Sequence, residues 1–302
     1  MSLSAAYKLY AVQIAAGTIA GIQSFSHQPQ DEEIVVASDG AVDPEFVAMM
    51  QQMPVFEFET TQVATALGYC GIDGYAVAAA ATMYWQKIGQ GGTRAGASSH
   101  YKMEASKGLL LPLSIQASQG QPATIRYRML LRSSNGILAP VAYTASQTLD
   151  GSPAITEIYT LGPYKHTSTF IDGITDWSLD FGLQPLQLAT DGHVYPVFCG
   201  VDQRQPVLSL TCTDVEAAMA SLTAAGSAVT SDIVWLRHKA AGGVNVPDGT
   251  STNISFTIDE GRVKVVQGEG SQEGEATATI EIRPTYDGTN DIVAIDTTAA
   301  IA

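Results

Sequence analysis

The sequence predicts a mainly β fold: a β-sandwich or barrel with one main flanking α-helix over about 214–225 and one or two short helices. Three observations predict it. Charged residues are only 15% of the chain while glycine occurs 28 times, a balance that suits turn-rich sheets better than helices. Two-residue alternation recurs, most clearly over 174–183, where Trp177, Leu179, Phe181 and Leu183 fall on one face and Ser178, Asp180, Gly182 and Gln184 on the other. Turn dipeptides such as Asp191-Gly192 separate such segments. A chain of 302 residues buries a large core. It reads as a single β-sandwich domain over 1–302 with an N-terminal elaboration over about 1–88 and a flexible loop over about 89–107.

In order, Tyr7–Ile14 and Thr18–Ser26 read as opening strands, with Gly17 and Gly21 weakening the second, and Gln28–Glu33 as a polar connector. Asp43-Pro44 supplies a cap and a first helical residue, so a short helix is expected with Phe46, Val47, Met49 and Met50 as its apolar part, ending at Met53-Pro54. Val55–Thr60 alternates as a strand and Gln62–Leu67 suits a short helix. The alanine-rich Tyr75–Trp85 stays open between helix and strand, with alanine favouring helix slightly. The glycines of Gly89–Ser99 predict a mobile loop. Leu109–Gln116 and Ala123–Leu131 are expected as long strands, the second with Arg126, Arg128 and Arg132 on one face as exposed or acid-paired cations. Ala139–Thr148 and Thr156–Leu161 follow as strands, and Gly162-Pro163 as a break.

After the alternating segment, Tyr195–Val201 and Val207–Cys212 read as strands. Thr213-Asp214-Val215-Glu216 forms a capping box for the main helix, which Gly226 ends. A β-meander closes the chain: Ile233–His238, Ile254–Ile258, Arg262–Gln267 and Ala276–Ile282, with a polar tail from Asp287.

The net charge of −15 disfavours ordinary nucleic-acid binding. The charge is segregated. From Leu9 to Gln86 there is no Lys or Arg, against the acids Asp31, Glu32, Glu33, Asp39, Asp43, Glu45, Glu57, Glu59 and Asp73. From Lys87 to Arg132 stand Lys87, Arg94, Lys102, Lys107, Arg126, Arg128 and Arg132, with Glu104 the single acid. Such blocks suit surfaces that pair between copies, or solvated faces of one monomer. Cys70, Cys199 and Cys212 form no CxxC, which fits a reducing compartment and buried thiols. Gln13 and Gln23 punctuate the N-terminal apolar run, so neither a signal peptide nor a membrane span is expected, and Asn253-Ile254-Ser255 is read as a chance glycosylation triplet.

No enzyme is expected: no catalytic residue, cofactor or metal set is identified. The five histidines are scattered outside HxH and HExxH spacings, and no G-x-S-x-G elbow occurs. Arg94 stands where a dinucleotide loop needs its third glycine. Asp176 and Asp180 share a strand face with α-carbons about 13–14 Å apart at strand rise, long for a glycosidase pair, whose carboxyls stand about 5–9.5 Å apart, and they are read as solvated strand acids.

Several segments taken together resemble the major tail-tube proteins of long-tailed, siphovirus-type bacteriophages. These are the loop Gly91–Ser99 followed by Gly108-Leu109-Leu110-Leu111-Pro112, and Thr160-Leu161-Gly162-Pro163. Gly173-Ile174 leading into Ser178–Leu183, Asp191–Pro196, the capped helix after a strand and the closing meander complete the set, which spans about Gly89 to Arg283. The resemblance implies a structural virion protein of the tail, made in the host cytoplasm. It implies assembly as hexameric rings that stack through loops and arms around an acidic lumen, through which DNA slides without specific binding. Partners would be further copies and other tail proteins, with no membrane. Stacking candidates are Arg94, Lys102 and Lys107 against Asp31, Glu32 and Glu33, and lumen-wall candidates are Ser178, Asp180 and Gln184. Two alternatives stay open: another virion part (distal tail, tail terminator or decoration protein), and a carbohydrate-binding β-sandwich.

Overall fold

The computed structural model describes residues 6–15, 17–37, 39, 43–70, 77–89, 99–149, 153–216, 226–240, 243–270 and 276–301. In chain order the elements begin with β1 (Ala6–Ile14), β2 (Gly17–Ile19), β3 (Ile22–Gln28), β4 (Asp31–Val36), β5 (Phe46–Gln52) and β6 (Val55–Thr60). Helix α1 (Val63–Cys70) follows, then β7 (Val77–Ile88), β8 (His100–Ser118), β9 (Thr124–Leu131), β10 (Val141–Gln147), β11 (Ile158–His166) and β12 (Thr169–Ile171). Next come β13 (Ile174–Asp180), β14 (Leu183–Leu188), β15 (Phe198–Arg204), β16 (Val207–Cys212), β17 (Ser227–Val229) and β18 (Asp232–Lys239). The last are β19 (Asn253–Ile258), β20 (Gly261–Glu269), β21 (Thr277–Pro284) and β22 (Ala294–Ala299).

The 19-residue β8 is the spine. Each of its edges is filled by two strands in tandem. One edge pairs β7 along Tyr101–Leu110 and β13 along Ser114–Ser118; the other pairs β10 along His100–Ala105 and β9 along Gly108–Gln116. The result is a 13-stranded sheet in the order β17-β20-β21-β16-β13-β8-β7-β1-β2, with β10, β9, β6 and β3 branching from it. Among the described residues it does not close into a barrel. A five-stranded sheet, β12-β11-β18-β19-β22, covers one face, and the two layers meet where Trp177 packs edge-on against Phe256 at 5.5 Å. This is a β-sandwich layering, in which inward rows of each sheet interdigitate.

Helix α1 is the one α-helix of named extent among the described residues. Val63, Ala66 and Leu67 are fully buried beneath the sheet. A carboxylate from elsewhere in the chain serves its first turn: Glu157 Oε1 accepts from the Thr65 amide at 2.8 Å. The Gln62 side chain donates to the Glu157 carbonyl and accepts from the Thr156 amide, locking that loop to the helix start.

Most expected strands are present, and the differences have physical reasons. The helix expected at 43–50 is instead strand β5, paired in register with β4; cross-strand pairing of Val47 and Phe46 with Val35 and Val36 overrides a local Asp-Pro helix start. The alanine-rich Tyr75–Trp85 is strand β7 from Val77 onward, because it lies between β1 and β8 and hydrogen-bonds to both. The flexible loop expected over 89–107 ends by Ser99, since His100–Lys107 form the first part of β8; residues 90–98 lie outside the described set. Gly162-Pro163 does not break the chain but forms a bulge in β11, where a Cβ on Gly162 would stand 2.4 Å from the Trp235 carbonyl oxygen. The alternating segment splits into β13 and β14 at Gly182, whose φ of +60 turns the chain and whose Cβ position lies 1.9 Å from the Gln205 carbonyl oxygen.

The strand expected at Tyr195–Val201 runs three residues later, Phe198–Arg204, because Tyr195 and Val197 are spent on loop hydrogen bonds to the carbonyls of Gly136 and Leu188. The polar tail from Asp287 contains strand β22, hydrogen-bonded to β19. Of the main helix expected over 214–225, Val215 and Glu216 are helical and 217–225 fall outside the described residues. The Thr213 hydroxyl is directed to the Gly173 carbonyl at 3.2 Å. Residues of the expected N-terminal elaboration supply β1, β2, β3, β6 and β7 of the large sheet itself.

Candidate functional site

Two surfaces stand out, a polar sheet face and an apolar ribbon. The first follows from register. Directly opposed residues of adjacent strands share a face, and the ladder aligns Thr124, Gln116, Ser178, Ser209, Glu281 and Lys264 in one row across β9, β8, β13, β16, β21 and β20. Two residues along, Ser118, Asp176, Thr211, Thr279 and Gln267 form a second polar row. Between them runs the buried row Ala117, Trp177, Leu210 and Ile280, pointing at the opposite sheet. Strict alternation therefore gives one sheet a dry inner face and a hydroxyl- and carboxylate-bearing outer face.

Two cations on this outer face share one carboxylate. Lys264 and Arg283 both reach Glu281, Arg283 at 2.7 Å. On the neighbouring strands, Glu57 takes Arg126 at 2.5 Å and Arg128 at 2.6 Å. Burial pushes the Glu57 carboxyl up, but charge-assisted hydrogen bonds from Arg126 and Arg128 outweigh it and hold the group below the usual carboxylate range. The linkage sign follows. Because the folded value is depressed, the stabilisation is complete above the unfolded-chain value of about 4.3 and is lost as pH falls through the folded value. Glu57→Gln is accordingly expected to lower stability at neutral pH and to flatten the loss below pH about 4.3; urea midpoints measured against pH for both proteins check this.

The second surface is the ribbon β4–β5. It continues the β3–β6 hairpin beyond Pro29-Gln30 and Met53-Pro54, and its root is tied to the body by the Gln52 amide donating to the Val194 carbonyl at 2.8 Å. Past the root, Ile34, Val35, Val36, Phe46, Val47, Met49 and Met50 are all exposed, Phe46 to 59%. Beside the root, the exposed Tyr143 hydroxyl bonds His27 Nδ1 at 2.8 Å. Burial lowers the His27 pKa, with the Asp31 carboxylate opposing it.

The sequence candidates are distributed as follows. Asp31, Glu32 and Glu33 are exposed on β4 at the ribbon root, with Asp31 taking a hydrogen bond from Gln52 Nε2 at 2.5 Å. Lys102 and Lys107 sit on β8; Lys102 pairs with Glu104 at 2.8 Å, and Lys107 is exposed. No ion pair joins the acid trio to either lysine among the described residues, and Arg94 lies outside them. Ser178 and Asp180 lie on the polar face, where the Asp180 carboxylate accepts from the Gly182 amide at 2.8 Å. Gln184 is exposed on β14, in the separate two-stranded β14–β15 sheet. Sequence reasoning missed the ribbon. The signal was the β-branched run Ile34-Val35-Val36 facing Phe46-Val47 across a Gly/Asp segment.

No protein-family model matches the chain, and no curated protein does. No helix among the described residues is long and apolar enough to cross a membrane.

Proposed function

We propose that this chain is a structural virion protein that self-assembles into stacked rings forming the hollow tail tube of a long-tailed bacteriophage. The exposed ribbon carries the proposal. A monomer that leaves seven large apolar side chains on one projecting hairpin in water presents the kind of patch that marks an association surface. The polar sheet face supports a conduit role. Its hydroxyls and carboxylates offer phosphate no counter-charge, and the carboxylates that hold Lys264, Arg283, Arg126 and Arg128 lower the counterion release a phosphate backbone would gain by resting on it. Ser178 and Asp180 are its proposed wall residues. The acid trio at the ribbon root and Lys107 are the proposed charged contacts between rings.

Negative-stain imaging of the purified full chain tests this. Long hollow tubes are the expected result. Closed rings or trimers would favour a terminator, distal-tail or decoration role, and a monomer at all concentrations would overturn self-assembly.

A further inference from the structure

Register divides the ribbon's apolar side chains between its two faces. The opposed pairs Val35–Val47 and Glu33–Met49 share one face, and Ile34–Ala48 and Val36–Phe46 share the other. Val35 and Val47 are each 58% exposed on the first face; on the second, Phe46 is 59% and Val36 44% exposed. A ribbon that lies on a single surface alternates apolar and polar residues. Continuous apolar runs belong to strands covered on both sides. A two-stranded hairpin is also marginal in water by itself, so neither face suits permanent exposure.

We infer that the ribbon is clamped between two neighbouring copies of this chain, one against each face. This rests on the self-assembly reading above. Charge argues that the occupant is another copy. The 9–86 segment that bears the ribbon has no Lys or Arg, and Asp31, Glu32 and Glu33 stand exposed at its root, whereas β8 exposes Lys107, a cation outside the ion pairs that hold Lys102, Arg126 and Arg128 within the chain. The chain thus supplies the counter-charge its own ribbon lacks. Area argues for two neighbours. Six residues of paired strand cover about 20 Å by 10 Å, roughly 200 Å² per face, well short of the about 800 Å² that each side of a stable pair commonly buries. Both faces together give only about 400 Å², so the ribbon adds to contacts made elsewhere on the chain, and a single neighbour would leave half of its apolar area in water.

The test uses the full chain with one face altered at a time: Val35→Glu with Val47→Glu, and Ile34→Glu with Phe46→Glu. Sedimentation velocity and negative-stain imaging follow assembly, and far-UV circular dichroism and melting temperature check the monomer fold. Should either glutamate pair unfold the monomer, the same positions are changed to threonine. The expected result is that each face alone raises the concentration for half-assembly at least about tenfold, with the monomer fold unchanged. If one altered face leaves assembly as in the parent while the other abolishes it, the clamp is overturned and self-assembly stands. If both altered faces assemble normally, the ribbon is no contact at all. If the parent itself stays monomeric, self-assembly fails and the clamp with it.

Discussion

Trp177→Ala is expected to destabilise the protein by about 3–5 kcal/mol, the usual range for emptying a large aromatic site in a core, with a melting temperature lower by roughly 5–8 °C in calorimetry. Trp177 is 1% exposed, sits at the middle of the spine-flanking strand β13, and bridges the two layers through Phe256. Its cross-strand neighbours Ala117 and Leu210 are too small or too constrained by their own ladders to fill the void. Its indole Nε1 has no hydrogen-bond partner among the described residues, so its contribution is packing alone. Trp177→Phe therefore keeps an aromatic contact to Phe256 and removes an unpartnered buried N–H. It is expected to cost clearly less than the alanine change; equal costs for the two would mean that the indole, and not the layer contact, is what matters.

The second large effect is expected at Asp232. Its carboxylate is 1% exposed and collects three donors: the Tyr164 hydroxyl at 2.7 Å, His166 Nδ1 at 2.9 Å and the Thr167 amide at 3.2 Å. Thr167 has a φ of +55 in the two-residue turn between β11 and β12, so Asp232 also holds a strained turn in place. Burial, and after it the neighbouring Asp232 carboxylate, raises the Tyr164 hydroxyl pKa, which keeps it a donor across the working pH range. Asp232→Ala strands that hydroxyl in the core and frees the turn, for an expected loss of about 3–5 kcal/mol. Tyr164→Phe leaves the carboxylate two donors and is expected to cost about 1–3 kcal/mol. The double variant should be less damaging than the sum of the two, because both act through one network. Urea unfolding of the four proteins completes the cycle, and strict additivity would show that the two groups are not coupled.

Much of the fold was legible because alternation and burial coincide. Trp177, Leu179, Phe181 and Leu183 are buried as their spacing requires, and the arginines expected to be exposed or acid-paired at 126 and 128 are indeed paired, with Glu57. What was not legible depends on partners distant in sequence. Val77–Ile88 is a strand because β1 and β8 flank it, although its alanines lean locally towards helix. Asp43-Pro44 looks like a helix start, yet Phe46–Gln52 pair with β4. The polar sheet face was half legible: Ser178 and Asp180 were on one face by period, but the row that extends Ser178 across six strands exists only through register, and the turn at Gly182 carries Gln184 into another sheet. The ribbon was hidden by the same local helix signal that misdirected β5.

The tandem filling of β8 has a kinetic consequence. Its edge is completed by β7, which precedes it, and by β13, whose last residue Asp180 lies well beyond Ser118. At about 5–20 residues per second of synthesis, the Ser114–Ser118 edge waits roughly 3–12 s on the ribosome before its partner emerges. Through that interval the nascent chain carries an open backbone edge beside a still bare apolar row, the combination most prone to misassociation. Crowded polysomes are then a second setting, besides the finished monomer with its bare ribbon, in which this protein is exposed to going astray.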